Sequence, residues 1–300
     1  MDKIEFGDCR EIMKKWASQG IKAQTCVTSP PYYGLRDYGH DGQIGLEETP
    51  AAYIEAMVEV FRCVWDVLED DGTLWVNIGD SYCGTGSKGD FVDPKNPNGR
   101  NGQSVSKTQK IEGYKSKDLI GIPFMLAFAL RNDGWYLRQD IIWHKPNPMP
   151  ESVQDRCTKS HEYIFLLSKK QKYYYDISAM QEPAIYAGDD RGARGDSRRG
   201  TEANSMSGKT GDTRNKRSVW TVTTKPYSGA HFAVFPPDLI EPCIMAGAPV
   251  GGIVLDPFMG SGTTAQVAQN LGRKYLGCEL NTEYEILQRE RLKQQSLELI

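Results

Sequence analysis

No apolar run in this chain approaches the roughly 20 residues a membrane-spanning helix needs, and none of its seven cysteines sits in a Cys-x-x-Cys pair. The first absence argues against a membrane partner. The second, with an odd number of cysteines scattered through mostly apolar contexts, argues against a zinc site or a disulfide framework. Reduced thiols, no metal and a cytosolic setting are therefore expected. Excess charge of one sign is missing too: 36 Lys and Arg oppose 39 Asp and Glu, for a net −3. This argues against a uniformly basic nucleic-acid binder, so any contact with a polyanion has to come from a local patch. The opening Met1–Glu5 has no basic-then-apolar leader pattern, and internal repeats are absent.

What is present is ordinary in bulk and specific in detail. With 300 residues, 39% hydrophobic and 25% charged, the chain suits one large α/β domain with an insertion, or two modest domains. Residues 23–28 read as a strand, and apolar residues at helical spacing over 51–68 predict a helix ended by Asp70-Asp71-Gly72. The run 73–78 reads as a buried strand. From Ser81 to Lys117 the chain is rich in Gly, Ser, Asn and Lys, which predicts a long mobile loop over 82–117. A helix over 123–131 and strands over 136–143 and 162–167 follow. A second polar tract spans 187–217, and then come a helix (237–245), a strand (252–255), a helix (263–271), a strand (275–279) and a helix (283–292). Strands alternating with helices imply an α/β fold: a mainly parallel, Rossmann-like sheet with helices on both faces.

Two turns in this frame carry chemistry. The apolar run Ile253-Val254-Leu255 enters Asp256-Pro257-Phe258-Met259-Gly260-Ser261-Gly262-Thr263-Thr264. Ligands of such sheets bind at the carboxyl ends of strands. Gly260 and Gly262 let backbone approach a ligand, and the helix that follows offers free N–H donors. One strand later Glu279 supplies an acid suited to two ribose hydroxyls, while Asp256 could face a cationic amino group. A glycine turn alone can serve a purely steric need; the second acid is what favours a cofactor. The turn does not end in Gly-Lys-Ser/Thr, which disfavours a nucleoside triphosphate, and its Asp-Pro-Phe opening does not suit a dinucleotide.

The other turn is Thr28-Ser29-Pro30-Pro31-Tyr32, after the first predicted strand. Two prolines fix φ twice and withdraw two N–H donors. Carbonyl acceptors, a hydroxyl and an aromatic ring remain, which is what an exocyclic amine on a planar ring requires. Standing alone, the tetrapeptide would read as a strand-ending turn with a packed tyrosine.

Together the motifs resemble those of DNA amino-methyltransferases, which methylate N4 of cytosine or N6 of adenine. Thr28–Tyr32 resembles the catalytic motif and Asp256–Thr264 the S-adenosylmethionine motif, in the permuted order of the β class. Phe6-Gly7-Asp8-Cys9, Trp143–Asn147, His161-Glu162-Tyr163 and His231–Pro236 resemble further family segments. The resemblance spans nearly everything except roughly 82–117 and 178–217. It implies the methyltransferase fold, a catalytic half over 1–177, a target-recognition insertion over 178–217 and a cofactor-binding half over 218–300.

What the resemblance implies for the site can be placed residue by residue. Ser29, Pro30, Pro31 and Tyr32 are the catalytic set: Ser29 and the Pro30 carbonyl accept from the amine and Tyr32 stacks on the base. Asp8, Cys9, Phe235, Asp256, Phe258, Gly260, Ser261, Gly262, Thr263, Thr264 and Glu279 would hold S-adenosylmethionine. Arg191, Arg194, Arg198, Arg199, Lys209, Arg214, Lys216 and Arg217 would contact double-stranded DNA, the alternative being a solvated charged loop. Lys88, Lys95, Arg100, Lys107 and Lys110 could close over DNA or belong to a solvated insertion. The base would be flipped into the pocket.

Serine opening the motif leans toward N4-cytosine rather than N6-adenine. Homodimerisation, and a place in a restriction-modification system, a phage or an orphan role, stay open; the expected setting is the cytoplasm of a bacterial or phage-infected cell. Three rivals remain. Cys243 offers a nucleophile for C5 methylation, though it lies in an apolar helical pattern. A DNA-binding protein without catalysis, and methylation of RNA or a small amine, complete the set. His161 reads as a strand-end hydrogen-bonding residue, Trp143 as core or pocket wall, and Trp65 and Trp75 as core.

Overall fold

The computed structural model describes residues 2–35, 39–40, 42–84, 111–184, 212–224 and 235–293. The chain opens with β1 (Lys3–Phe6) and α1 (Cys9–Ser18), then runs through β2 (Ala23–Thr28), α2 (Pro50–Val67), β3 (Leu68–Ile78) and α3 (Ile122–Asn132). The strands β4 (Tyr136–His144) and β5 (His161–Ser168) come next, followed by short β6 (Gln181–Pro183), β7 (Thr213–Asn215) and β8 (Val219–Thr221). The last elements are α4 (Pro237–Gly247), β9 (Ile253–Asp256), α5 (Thr263–Asn270), β10 (Lys274–Glu279) and α6 (Tyr284–Lys293).

Local chemistry explains where the helices start. Asp8 caps α1 by accepting from the Arg10 N–H at 2.8 Å. Thr49 caps α2 by accepting from the Ala52 N–H at 3.1 Å, with Pro50 in the first turn. Each such cap is worth about 1 kcal/mol. Tyr53, Ile54, Met57, Val60, Phe61, Val64 and Val67 recur at three- and four-residue steps, so α2 presents one buried stripe.

Eight strands form one sheet in the order β1-β10-β9-β2-β3-β5-β4-β8. The first five run parallel to one another, β5 is antiparallel to β3 and to β4, and β8 lies parallel to β4. Alternate residues feed two cores, as a strand's period of two requires. Leu74, Val76 and Ile78 of β3 join the cluster that holds Met13, Trp16, Phe61 and Leu126 of the helices α1 to α3. Trp75 faces the other way, toward Leu239, Ile244 and Ala265 of α4 and α5. Helices therefore cover both faces, and the strands between them read as continuous apolar runs.

Several expectations change. Asp70-Asp71-Gly72 does not end a helix: α2 stops at Val67, and the acidic turn lies inside β3. Ala23 pairs with Leu68 but Thr25 already pairs with Thr73, so Glu69–Gly72 bulges from the ladder. The pair β1–α1 carries too short an apolar pattern to be read beforehand. Trp65 is only half-buried, with its ring edge against Trp135 at 4.9 Å, whereas Trp75 is core. The stretch 82–117 has ordered ends: Cys83 N–H donates to the Asp118 carbonyl at 2.8 Å and Lys117 N–H to that of Cys83 at 2.9 Å. The rest of it, with Lys88, Lys95, Arg100, Lys107 and Lys110, lies outside the described residues.

Candidate active site

The sheet order makes β2 and β9 parallel neighbours, with Thr25 opposite Val254 and Cys26 opposite Leu255. Two turns separated by more than two hundred residues therefore leave the sheet side by side at its carboxyl edge. A buried hydrogen bond ties them: Thr28 Oγ1 donates to Asp256 Oδ1 at 2.6 Å. Asp256 also accepts from the Phe258 N–H at 3.0 Å and from Thr264 Oγ1 at 2.6 Å. Its side chain is 1% exposed, and burial pushes its carboxyl up to about 6. With three internal donors, Asp256 holds the two turns in place rather than facing outward.

The glycine turn needs both its glycines, at φ +55° for Gly260 and +88° for Gly262. Glu279 braces it from β10, accepting from the Gly260 N–H at 2.7 Å and the Asn281 N–H at 2.8 Å. Burial raises the Glu279 carboxyl above the usual carboxylate range. Gln288 of α6 donates to the Gly260 carbonyl at 2.6 Å, and the buried Arg291 donates to Thr263 Oγ1. Thr263 and Thr264 thus point into protein. Ser261 differs: its hydroxyl is buried and has no partner among the described residues. The first turn of α5 likewise receives no side-chain cap. An unpaired hydroxyl beside open helix N–H groups, flanked by a carboxylate on the next strand, fits a polar, ribose-bearing ligand.

The N-terminal segment borders this turn. Phe6 pairs with Glu279, and the Gly7 N–H donates to the Glu279 carbonyl at 2.8 Å. Asp8 follows directly, with its carboxylate gripped by Arg10 at 2.6 Å, and the guanidinium holds it below the usual range. Cys9 is buried, and burial pushes its thiol up to about 12. Phe258 is half-buried against the first core. Phe235 packs in the second core, in the cluster that contains Met259 of the turn.

The proline turn is clamped from two sides. Tyr53 of α2 donates to the Pro31 carbonyl at 2.8 Å, while no donor among the described residues takes the Pro30 carbonyl. Tyr32 donates its phenol hydrogen to Glu162 Oε2 at 2.7 Å. Asn77 Nδ2 donates to the same oxygen at 3.2 Å and to the Tyr163 carbonyl at 3.2 Å. Lys145 forms an ion pair with Glu162 Oε1, and its ammonium lies 4.2 Å from the centre of the Trp143 ring. Burial, reinforced by the Glu162 charge, raises the Tyr32 phenol well above its ordinary value. Gly79 makes room: a β-carbon there would stand 2.7 Å from Tyr32 Cε2.

Tyr53, Asn77 and Gly79 gave no sequence signal beyond a polar residue ending an apolar strand. Lys145 and Glu162 lay in recognised segments without a role. His161 meets the Tyr163 hydroxyl through Nε2 at 3.4 Å, the strand-end contact expected of it. Trp143 is buried and donates to the Val222 carbonyl at 2.8 Å.

Cys243 is buried within α4, with its Sγ 3.8 Å from the Leu239 carbonyl, and burial raises its thiol far above the ordinary value. It is no nucleophile. The basic tract is divided. Arg191, Arg194, Arg198, Arg199 and Lys209 lie outside the described residues, as do His231–Val234. Arg214 and Arg217 share Glu182, each at 2.9 Å. The Lys216 ammonium lies 5.3 Å from the centre of the Trp220 ring. Among the described residues no His, Cys, Asp and Glu cluster could hold a metal, and no helix is long and apolar enough to cross a membrane.

The geometry has counterparts. The family model described as DNA methylase, N6_N4_Mtase, matches residues 23–289. The Type II methyltransferase M.SmaI of Serratia marcescens is 50% identical over 294 residues, 97% of this chain and 90% of its own length. M.Cfr9I of Citrobacter freundii, also named a Type II methyltransferase, is 49% identical over 278 residues, with 93% and 83% covered. Among solved structures, PvuII DNA methyltransferase, described as cytosine-N4-specific, has a TM-score of 0.63 at 18% identity, covering 97% of this chain and 86% of its own. M1.HpyAVI, solved as a SAM complex, has a TM-score of 0.57 at 19% identity, with 97% and 100% covered. These two carry the likeness of fold.

Proposed function

The chain belongs to the N6/N4 DNA methylase family, and from that premise we propose that it transfers a methyl group from S-adenosylmethionine to the exocyclic N4 of cytosine in double-stranded DNA. The observation that carries this reading is the Thr28–Asp256 hydrogen bond, which sets the proline turn and the glycine turn against each other at one sheet edge. An amine acceptor and a cofactor cradle then share one site.

Bound S-adenosylmethionine would supply a sulfonium-activated methyl group, the sulfur keeping the bonding pair when S-adenosylhomocysteine leaves. The open N-terminus of α5, the unpaired Ser261 hydroxyl and the Glu279 carboxylate would hold it, with Gly260, Gly262 and Phe258 shaping the cradle and Asp8 beside it. Asp256, Thr263 and Thr264 serve by fixing the turn. On the other side, Ser29 and the Pro30 carbonyl, which no donor among the described residues takes, accept hydrogen bonds from the target amine, and the Tyr32 ring offers a face to the flipped base. These contacts orient the nitrogen lone pair toward the methyl carbon, and after the new C–N bond forms the cationic amine releases one proton to water. Positioning and charge complementarity supply the rate; no covalent enzyme intermediate is required.

We assign duplex contact to the tract 178–217, where Lys216 has no carboxylate partner among the described residues and Arg214 and Arg217 would exchange Glu182 for phosphate. Ser29 is what favours cytosine over adenine.

Incubating the protein with unmethylated plasmid DNA and S-adenosylmethionine, then reading the product by single-molecule modification sequencing, tests base and site together. N4-methylcytosine at one short sequence is expected. N6-methyladenine alone would overturn the choice of base, and methylation of RNA but not DNA would overturn the substrate.

A further inference from the structure

Tyr32 is held at both ends, and by more polar chemistry than a packed ring requires. At the main-chain end, Pro30 and Pro31 fix φ in the two preceding residues. Tyr53 donates to the Pro31 carbonyl at 2.8 Å, which sets the peptide plane that carries Tyr32. At the far end the phenol donates to Glu162 Oε2 at 2.7 Å. The competing acceptor, Asn77 Oδ1, stands at 3.5 Å and is much the weaker. A phenol hydrogen lies in the plane of its ring, because the oxygen lone pair conjugates with the ring. An acceptor fixed in space therefore selects one ring plane. Gly79 supports the ring from its edge: a β-carbon there would stand 2.7 Å from Cε2 and 3.3 Å from Cδ2, so only a glycine backbone leaves the ring its seat.

The acceptor is itself fixed. Glu162 lies on β5 opposite Trp143 of β4, and Lys145 extends that ladder by donating its N–H to the Ser160 carbonyl at 2.7 Å. The Lys145 ammonium pairs with Glu162 Oε1. Asn77 Nδ2 donates to Oε2 at 3.2 Å and to the Tyr163 carbonyl at 3.2 Å, which ties the carboxylate to β3 as well. The side chains of Lys145 and Glu162 are only 19% and 15% exposed. Burying two charges costs desolvation, and apolar residues of similar volume often serve stability as well or better. What the pair adds is an anchored acceptor for a tyrosine oxygen, where a phenylalanine would fill the same space without one.

We propose that Glu162, anchored by Lys145 and Asn77, is a positioning residue for methyl transfer: it locks the plane of the Tyr32 ring, so that the flipped base stacks on a preset surface with its amine in line with the methyl group. The proposal rests on the reading of Tyr32 as the face that receives the base, and it holds for cytosine and adenine alike. A ring free to tilt still receives the base but spreads its amine over many orientations. Loss of the lock therefore lowers kcat more than affinity.

Steady-state methyl transfer from tritiated S-adenosylmethionine to unmethylated plasmid DNA tests the lock in the full chain. Tyr32→Phe keeps the ring and removes its hydroxyl. Lys145→Met with Glu162→Leu removes the acceptor and its counter-ion together, so no buried charge is left unpaired. Each of these two proteins is expected to lose roughly tenfold in kcat while KM for DNA stays within about twofold. Combining all three substitutions should be no slower than the slower of the two, because without the phenol the acceptor holds nothing. A fluorescent analogue at the target position of a duplex carrying the methylated sequence, pyrrolo-cytosine for cytosine or 2-aminopurine for adenine, reads the stacking itself. Its emission should be stronger in complex with either altered protein than with the wild type. A wild-type kcat in Tyr32→Phe, losses that multiply when combined, or an unchanged emission would overturn the lock. Should the paired substitution lower the melting temperature, Tyr32→Phe, which leaves the ion pair intact, decides by its kcat and its emission. A wild-type protein that transfers no methyl to DNA would overturn the function the lock rests on instead.

Discussion

Replacing Thr28 by valine removes the hydroxyl that ties the two turns while keeping a β-branched residue in β2. Thr28 is fully buried, and its bond at 2.6 Å ends on a carboxylate that burial has already pushed up to about 6. A hydrogen bond to a charged group contributes about 1.5–3 kcal/mol, and one to a neutral group about 0.5–1.5. The sign with pH follows from linkage. A folded-state pKa raised above the unfolded one means the native state prefers the protonated acid, so stability falls as pH rises through that interval and then levels. Losing a donor to the ionised form raises the Asp256 pKa further and extends the fall to higher pH. Thr28→Val should therefore cost about 0.5–1.5 kcal/mol near pH 5 and about 1.5–3 near pH 8. Urea unfolding at the two pH values measures it. Thr25→Val is the control: Thr25 is equally buried but bonds only the neutral Thr73, at 2.9 Å to its hydroxyl, so its loss should not change with pH. A Thr28→Val loss that is the same at both pH values, or larger near pH 5, would refute the reasoning.

Other perturbations probe the rest of the site. Gly79→Ala puts a methyl 2.7 Å from Tyr32 Cε2 and 3.4 Å from Glu162 Cδ; kcat should drop at least about tenfold for a stability cost of about 1–3 kcal/mol, read by methyl transfer beside thermal melting. Glu279→Gln replaces an acceptor of the Gly260 and Asn281 N–H groups, so calorimetry should find S-adenosylmethionine bound at least about tenfold more weakly, near 1.4 kcal/mol. Iodoacetamide on the native protein should label Cys157, the one exposed thiol of seven, and leave Cys243 unmodified. Peptide mass mapping of an alkylated, still active sample checks this.

Much of the site was legible because its chemistry is local. A strand running into Ser-Pro-Pro-Tyr and another into Asp-Pro-Phe-Met-Gly-Ser-Gly each specify a turn within a few residues, since proline fixes φ and glycine permits positive φ. Glu279 was legible too, as the acid ending the next strand. The elements that escaped were those whose reason is distant. β1 is four residues long and exists because β10 pairs with it. The Glu69–Gly72 bulge looked like a helix stop because Asp-Asp-Gly is good turn chemistry, and only the register with β2 makes it part of a strand.

The same division runs through the candidate active site. By itself the sequence determined which residue types could hold an amine and a cofactor, and that they sit in the permuted order. Only the tertiary structure decided that β2 and β9 are neighbours, so that Thr28, 228 positions away, donates a hydrogen bond to Asp256. It alone turned Asp256 inward, gave Tyr32 a partner in Glu162 and Glu162 a partner in Lys145. Hydrogen bonds between sheet-edge residues depend on strand order, and strand order is a property of the packed sheet that no single segment encodes.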